Sequence, residues 1–531
     1  MSDTLTRRLE WLHHNPALLG ALSALQRGLE KESLRVDDNG HLALTDHPPA
    51  LGSALTHPKI TTDYSEALLE FITPVSTSIS DCLQCLTDIH QFTAHQLASQ
   101  QEMLWTASMP CRLGPANDIP VARYGPSNVG TMKTIYRIGL GHRYGRAMQT
   151  ISGIHYNFSL SDKFWARYQP LLGDNQPLSQ FKTEQYFGLM RNFRRLAPLL
   201  VYLTGSSPAL CKSFLQGHDG HHLDTLDDKT LYREYATSLR MSDLGYQSNA
   251  QKALFVCYNS LDNYIRTLRH GITETYPPYQ AIGLKDGQGH YRQLNTALLQ
   301  IENEFYSTIR PKRVTASGEA PINALRRGGV EYIEVRCLDV NPFTACGIDA
   351  ETLRFVDVFL LYCLLEPSPP LAGDECHQVD ANLARVVNDG RKPGLVIVDN
   401  GQPVDFHQWA NDHLAAMQPL AALLDRLKAN SCYQKSLALQ QDKFNNPALT
   451  PSAQLLARLR DQSLSFAEFT RRQSRHWQSH FLDQPLSDST AQLYRELAAD
   501  SIAQQQAIEA ADTLSFDDYL ARFYQQYRET P

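Results

Sequence analysis

A chain of 531 residues, 42% hydrophobic and 20% charged, has the composition of a globular protein with a sizeable core, and its length sets a soft prior of about three to four domains. The net charge of −7, with no long basic block, argues against a nucleic-acid partner. Ten scattered cysteines lack the spacing of a small disulfide scaffold, the paired arginines near the N-terminus precede no apolar h-region, and the longest apolar run, residues 355–365, contains Asp357 and is too short for a bilayer. These features predict a reduced, cytoplasmic protein with no membrane association, and residues 355–365 read as a buried helix.

In chain order, Leu9, Leu12, Leu18, Leu19, Leu22 and Leu25 recur at near-helical spacing, broken at Asn15-Pro16, and predict a short helix pair. Residues 29–35 then alternate, so Glu30 and Glu32 share one strand face. Asp37-Asp38-Asn39-Gly40 is a tight-turn signal and residues 41–44 alternate again, which reads as a hairpin. Two carboxylates repel by roughly 4 kcal/mol at about 4 Å and an effective dielectric near 20. Such a pair persists where its face is open to water or where a cation sits between the groups, and further acids on strand faces favour the cation.

Residues 60–73 read as a loop running into a strand, with Ala67, Leu69 and Phe71 on one face and Glu66, Leu68, Glu70 and Ile72 on the other. Glu70 within an apolar strand is a ligand or catalytic group, or a salt-bridged core carboxylate. Asp63 reads equally as a loop cap. Residues 81–101 are helical, and Cys82 and Cys85 read there as helix cysteines, because no thioredoxin-like strand and turn precede them. Residues 107–131 predict a long irregular loop. The basic and aromatic cluster Lys133, Tyr136, Arg137, His142, Arg143, Tyr144 and Arg146 is either a solvated helix face or an anion-binding wall.

Residues 149–160 alternate, with Ile154, Tyr156, Phe158 and Leu160 opposite His155, Asn157 and Ser159, so His155 is a structural residue or a site residue on a polar strand face. Residues 180–215 and 249–271 are helical in pattern, 217–222 form a His-rich loop, and 285–289 a turn. Between them, residues 237–246 carry Arg240 and Tyr246, which could hold a carboxylate. Residues 299–306 look strand-like with acids at i and i+2, Glu302 and Glu304, and are followed by Arg310, Lys312 and Arg313. Residues 330–337 are an alternating strand on which Glu334 and Arg336 share a face. Composition shifts after 367–370, which places a soft boundary there: residues 1–370 carry the candidate site residues, and 371–531 read as a mostly helical region packed on them, or the two form a single structural unit.

Oxygen ligands with one imidazole suit Mg²⁺ or Mn²⁺ better than zinc. Together with arginines and lysines they are equipment for phosphate charge. No P-loop, kinase-type glycine loop or GxSxG is present. The residues therefore point to metal-dependent phosphoryl chemistry on an acidic sheet, and name no substrate.

The segments QRGLEKESLR (26–35), TDYSEALLEFITP (62–74), SGIHYN (152–157), IRPKR (309–313) and EYIEVR (331–336) resemble the signature segments of the bacterial glutamate–cysteine ligase family. The resemblance implies an α+β fold with a glutamine-synthetase-like antiparallel sheet forming an acidic funnel, surrounded by helices. It also implies ATP and Mg²⁺ (Mn²⁺ substituting), with L-glutamate and L-cysteine as substrates of a monomer. Carried over by motif, Glu30, Glu32, Asp63, Glu70, His155 and Glu334 correspond to the metal shell, and Arg336, Arg137 and Lys312 face the transferred phosphate. Arg240 and Asn157 hold glutamate, while Tyr64, Tyr136, Leu140, Gln149, Tyr246 and Tyr306 form the cysteine pocket. Family members often carry Phe where this chain has Tyr64, which makes that wall more polar. The implied reaction passes through γ-glutamyl phosphate. A glutamate ligase for another amine and a Mg²⁺-dependent small-molecule kinase are the alternatives.

Overall fold

The computed structural model describes every residue except 1, 216–220, 245–253, 255, 317, 430 and 529–531. Two short helices come first, α1 (Asp3–His14) and α2 (Pro16–Leu22), parted by Asn15, whose side chain accepts from Leu18 N and caps the second. The chain then enters β1 (Gln26–Asp37), the long strand at the middle of a seven-stranded sheet.

The other strands are β2 (Ile60–Thr62), β3 (Leu68–Ile72), β4 (Glu102–Leu104), β5 (Ile154–Ser159), β6 (Ile309–Lys312) and β7 (Tyr332–Leu338). Hydrogen bonding runs β2-β3-β1-β5-β7-β6, every pair antiparallel, and β4 pairs with the last residues of β1. The turn after β1 forms as expected: Gly40, at φ +77°, donates to Asp37 O at 3.0 Å. The return arm does not. Residues 41–44 make only isolated bridges, because the edges of β1 are already taken by β3, β4 and β5.

Helices α3 (Ile79–Ala98), α4 (Asn128–Tyr144), α5 (Leu178–Thr204), α6 (Ala350–Leu365), α7 (Phe406–Lys428) and α8 (Cys432–Asn445) supply most of the surrounding layer. The helix expected over 180–215 ends at Thr204 and gives way to a short strand, Ala209–Cys211. That expected over 249–271 begins only at Leu261 among the described residues. Strand-like residues 299–306 form a 3₁₀ turn, Glu302–Glu304, instead of a strand.

One face of the sheet is apolar. Leu29, Ile154, Tyr156, Phe158, Ile333 and Val335 are buried in a cluster that continues through α3, α5 and α6 to Phe406, Met417, Leu437 and Tyr527, so residues on both sides of the composition change share one core. Each such side chain contributes about 1.5–3 kcal/mol by burial. Because strand side chains alternate, driving this face into the core leaves Glu30, Glu32, His155, Asn157 and Glu334 on the other. No helix of the described residues is long and apolar enough to cross a membrane.

Candidate active site

Register builds the site. Across β1 and β3, Glu32 lies directly opposite Glu70; across β1 and β5, Glu30 lies opposite His155. Across β5 and β7, Asn157 lies opposite Glu334, which in turn faces Arg310 on β6. Directly opposed residues share a face with Cβ atoms ~5 Å apart. Four carboxylates and one imidazole from four strands thus converge, although up to 304 positions apart in the chain, Glu30 to Glu334.

His155 is their hub. Its Nδ1 is 3.1 Å from Glu30 Oε2 and 3.7 Å from Glu334 Oε1, and its Nε2 is 3.7 Å from Glu32 Oε1. Asn157 Nδ2 donates to Glu30 Oε1 at 2.9 Å, and Gly153 N to Glu32 Oε2 at 2.6 Å. Asp63, in the loop after β2, joins from the other edge and raises the proton affinity of Glu32 and Glu70.

The charges sort the acids into two kinds. Burial, then the neighbouring Glu30, Asp63 and Glu32, push Glu70 well above the usual carboxylate range. Glu32 is pushed up to about 8 by burial and Asp63. Glu334 goes the other way: burial opposes its charge, but Lys312, Arg336, His155 and Arg310 outweigh it and hold the group well below its ordinary value. Glu30 is likewise lowered, because the His155 hydrogen bond overcomes burial and Glu334. Burial and Arg336 lower His155, which favours the neutral ligating imidazole.

A divalent cation fits this donor set. One ligand atom each from Glu30, Glu70 and His155 lie within 4.8 Å of one another. Glu334 Oε2 is buried with no hydrogen-bond partner, as an oxygen reserved for something outside the protein is. Oxygen donors with one imidazole match hard cations. A pH prediction follows. Glu32 and Glu70 have raised folded-state values, so the stability they lend is complete below the unfolded value near 4.3 and is lost as pH rises, for Glu32 through about 8. Glu30 and Glu334 are lowered, and theirs is lost only as pH falls through the acid range. A cation held by Glu32 would have to displace its proton, so Mg²⁺ affinity is expected to rise as pH approaches about 8, with proton release, which titration calorimetry in two buffers of different ionisation enthalpy measures.

Cations flank the acids on both sides. Toward β6, Arg336 NH1 is 3.1 Å and Lys312 Nζ 3.4 Å from Glu334 Oε1, and Arg310 lies buried beside them. Arg336 sits where β7 carries one extra residue against β5, between the pairs Val335–Tyr156 and Leu338–Ile154, and such a bulge re-aims side chains. Toward β2, Arg137 on α4 donates to the Asp63 carbonyl and lies 3.9 Å from its carboxylate. Tyr124 underlies this edge, donating to Thr62 O and Asp63 O with the Arg137 guanidinium 4.5 Å from its ring centroid. The basic cluster is thus split: Lys133 and Arg137 border the acids, whereas Arg143 is buried in an ion pair with Glu304 at 2.8 Å.

At the Glu32 end, Arg240 NH2 donates to Arg336 O at 2.9 Å and NH1 lies 3.7 Å from Asp339. Gly153 makes this possible, since a Cβ there would sit 2.0 Å from Arg240 NH2. Tyr64 is buried in one cluster with Leu140 packed against it, and its hydroxyl fills the space left by Gly141. Gln149 follows on the 3₁₀ turn Ala147–Thr150, Tyr136 lies on α4 next to Arg137, and Tyr306 is 3.7 Å from Met241 beside Arg240. Tyr246 lies outside the described residues.

Two sequence-level acids are structural. Glu66 accepts from His47 N and Arg123 N, and Glu302 from Ile322 N and Tyr527 OH. Three further residues went unassigned at the sequence level. Arg310 carried a signal, since it shares a face with Lys312 two positions on. Tyr124 and Asp339 carried none, because a loop tyrosine and a strand-end aspartate have no distinguishing pattern.

A family model described as glutamate-cysteine ligase matches residues 9–386. The chain belongs to the glutamate–cysteine ligase family.

Relatives in this family extend along almost the whole chain. The glutamate–cysteine ligase of Alcanivorax borkumensis is 51% identical over 514 residues, 96% of this chain and 97% of its own. That of Azotobacter vinelandii is 51% identical over 526 residues, 98% of each. Among solved structures, the glutamate–cysteine ligase of Francisella tularensis in complex with AMP superposes with a TM-score of 0.89 at 36% identity, covering 95% of this chain and 98% of that one. A bifunctional glutathione synthetase from Pasteurella multocida shares the fold, with a TM-score of 0.72 at 24% identity over 92% of this chain and 58% of the other. The fold expected from the ligase resemblance, an antiparallel sheet wrapped by helices, is the one observed.

Proposed function

We propose that this chain ligates the side-chain carboxylate of L-glutamate to the amine of L-cysteine at the expense of ATP, giving γ-glutamylcysteine, ADP and phosphate, the first step of glutathione biosynthesis. The observation that carries this reading is the convergence of Glu30, Glu32, Glu70, His155 and Glu334 on one sheet face, flanked by Arg336 and Lys312 on one side and Arg137 on the other, in a chain of the glutamate–cysteine ligase family.

Glu30, Glu32, Asp63, Glu70, His155 and Glu334 would hold Mg²⁺, with Mn²⁺ able to replace it. Bound there, the metal neutralises triphosphate charge and the charge that develops as the phosphoryl group moves. A glutamate carboxylate oxygen bonds to the γ-phosphorus as the bond to the bridging oxygen breaks and ADP departs with the electron pair. The unprotonated cysteine nitrogen then bonds to the acyl carbon, phosphate leaves with the C–O electron pair, and the nitrogen gives up one proton to the departing phosphate or to solvent. Arg336, Lys312 and Arg137 hold the phosphoryl oxygens in place, and preorganised cations of this kind need no reorganisation during transfer. Arg240 and Asn157 orient glutamate, and Tyr64, Tyr136, Leu140, Gln149, Tyr246 and Tyr306 enclose cysteine. No protein nucleophile is needed, so the cysteines of the chain are dispensable for the chemistry.

Arg240 gives a direct check. Gly153→Ala forces the guanidinium to move, and misplacing a positioning group by about 1 Å costs about 10²-fold, so kcat/KM for glutamate falls by about that factor. Steady-state kinetics with glutamate varied measures it; an unchanged value removes Arg240 from the glutamate site. The reaction itself is tested with glutamate labelled by ¹⁸O in its side chain, across a panel of amino-acid acceptors. The expected result is one labelled oxygen in each phosphate released, with cysteine the best acceptor. The departing labelled oxygen found in water or in AMP, with unlabelled phosphate, overturns the acyl phosphate. Another preferred amine, or a stable phosphorylated product formed without any acceptor, overturns the assignment to cysteine ligation.

A further inference from the structure

Resting on that reading, we propose that Lys133 is a further catalytic residue, which grips the phosphoryl group in transit jointly with Arg137. The two residues are four apart on α4, one turn, and both lie against the Tyr124 ring: Lys133 Nζ is 5.1 Å and the Arg137 guanidinium carbon 4.5 Å from its centroid. The Tyr124 hydroxyl is fixed by Thr62 O at 2.7 Å and Asp63 O at 3.0 Å, so the ring sets both cations beside the acidic face.

Like charges at this helical spacing repel. Arg137 has an outlet in Asp63, whereas Lys133 Nζ makes no ion pair among the described residues and is only partly exposed. Burial and Arg137 push its ammonium down to about 8, against the weaker pull of Glu70. An unpaired cation beside another, held over a ring instead of a carboxylate, is an arrangement that an anion relieves. The anion this site handles is the γ-phosphate. Arg336, Lys312 and Arg310 approach it from the Glu334 side, and Lys133 with Arg137 closes the Asp63 and Glu70 side. As the carboxylate oxygen bonds to phosphorus and the bridging P–O bond breaks, the Lys133 ammonium keeps its proton and donates to a non-bridging phosphoryl oxygen.

The test compares Lys133→Met, Lys133→Gln and Lys133→Arg in the full chain at saturating Mg²⁺, ATP and glutamate, with L-cysteine and with hydroxylamine as acceptors. Hydroxylamine is unprotonated at neutral pH and needs no base before attack. The expected result is a kcat lower by ~10²–10³-fold in both neutral variants, equal for the two acceptors, with Lys133→Arg within about tenfold of wild type. Urea midpoints identify the neutral variants that fold, and two are made so that one suffices. Wild-type turnover in a neutral variant overturns the inference. So does rescue by hydroxylamine, which would make Lys133 the base for the amine, and so does a Lys133→Arg variant as slow as Lys133→Met. A wild-type chain that forms no γ-glutamylcysteine sinks the ligase reading instead, so the two failures are distinguishable.

Discussion

Replacing Glu334 by Gln is expected to lower turnover by about 10³-fold or more while the sheet persists. The carboxylate is 1% exposed, and its Oε1 meets Arg336, Lys312 and His155 at 3.1, 3.4 and 3.7 Å. The amide keeps the shape but removes the charge. Three neighbouring cationic or ligating groups then lose their common partner, and the acidic face loses a carboxylate whose charge those neighbours hold at low proton affinity. Metal saturation does not restore the rate, because the same change leaves Arg336 and Lys312 without the counter-charge that aims them. Steady-state assays over a Mg²⁺ titration, with circular dichroism as the folding control, measure this. A folded variant at near wild-type turnover would remove Glu334 from the metal shell.

The second large effect lies behind the site. Asp357 on α6 is fully buried and receives Arg27 NH2 at 2.9 Å, the Tyr156 hydroxyl and the Tyr433 hydroxyl at 3.2 Å. Arg27 belongs to β1, Tyr156 to β5 and Tyr433 to α8, so one carboxylate ties the two strands that carry Glu30 and His155 to the C-terminal helices. Asp357→Ala leaves a buried guanidinium unpaired, which costs about 3–5 kcal/mol. Urea unfolding should show a loss of that size, and Asp357→Asn a smaller one because it retains part of the hydrogen bonding. A shift below about 1 kcal/mol in the Ala variant would mean that water reaches Arg27 and that the network is not closed. On this view we propose that the region after residue 370 acts as a supporting layer and brings no chemistry of its own.

Period-two alternation made most of this legible. It separated Glu30 and Glu32 from Leu29, and His155 and Asn157 from Tyr156, because driving one face into the core fixes the other. Register was not legible. Nothing local says that Glu32 meets Glu70 or that Asn157 meets Glu334, and the extra residue of β7 that sets Arg336 has no mark in the string VEYIEVRCLDV. The same alternation misled at residues 299–306. There Glu302 and Glu304 are buried because hydrogen bonds reach them from Ile322, Tyr527, Gln300 and Arg143, which a 3₁₀ turn allows as well as a strand would. Asp357 was conspicuous as a lone charge in an apolar run, but its three partners lie 76 to 330 positions away.

Anomalous diffraction from crystals soaked in Mn²⁺ with ATP tests the central claim most directly. The account predicts manganese peaks on the acidic sheet face, one of them within coordination distance, about 2–2.4 Å, of carboxylate oxygens of Glu30 and Glu70 and of a His155 ring nitrogen. Manganese bound elsewhere on the chain, with no peak between those three side chains, would contradict it.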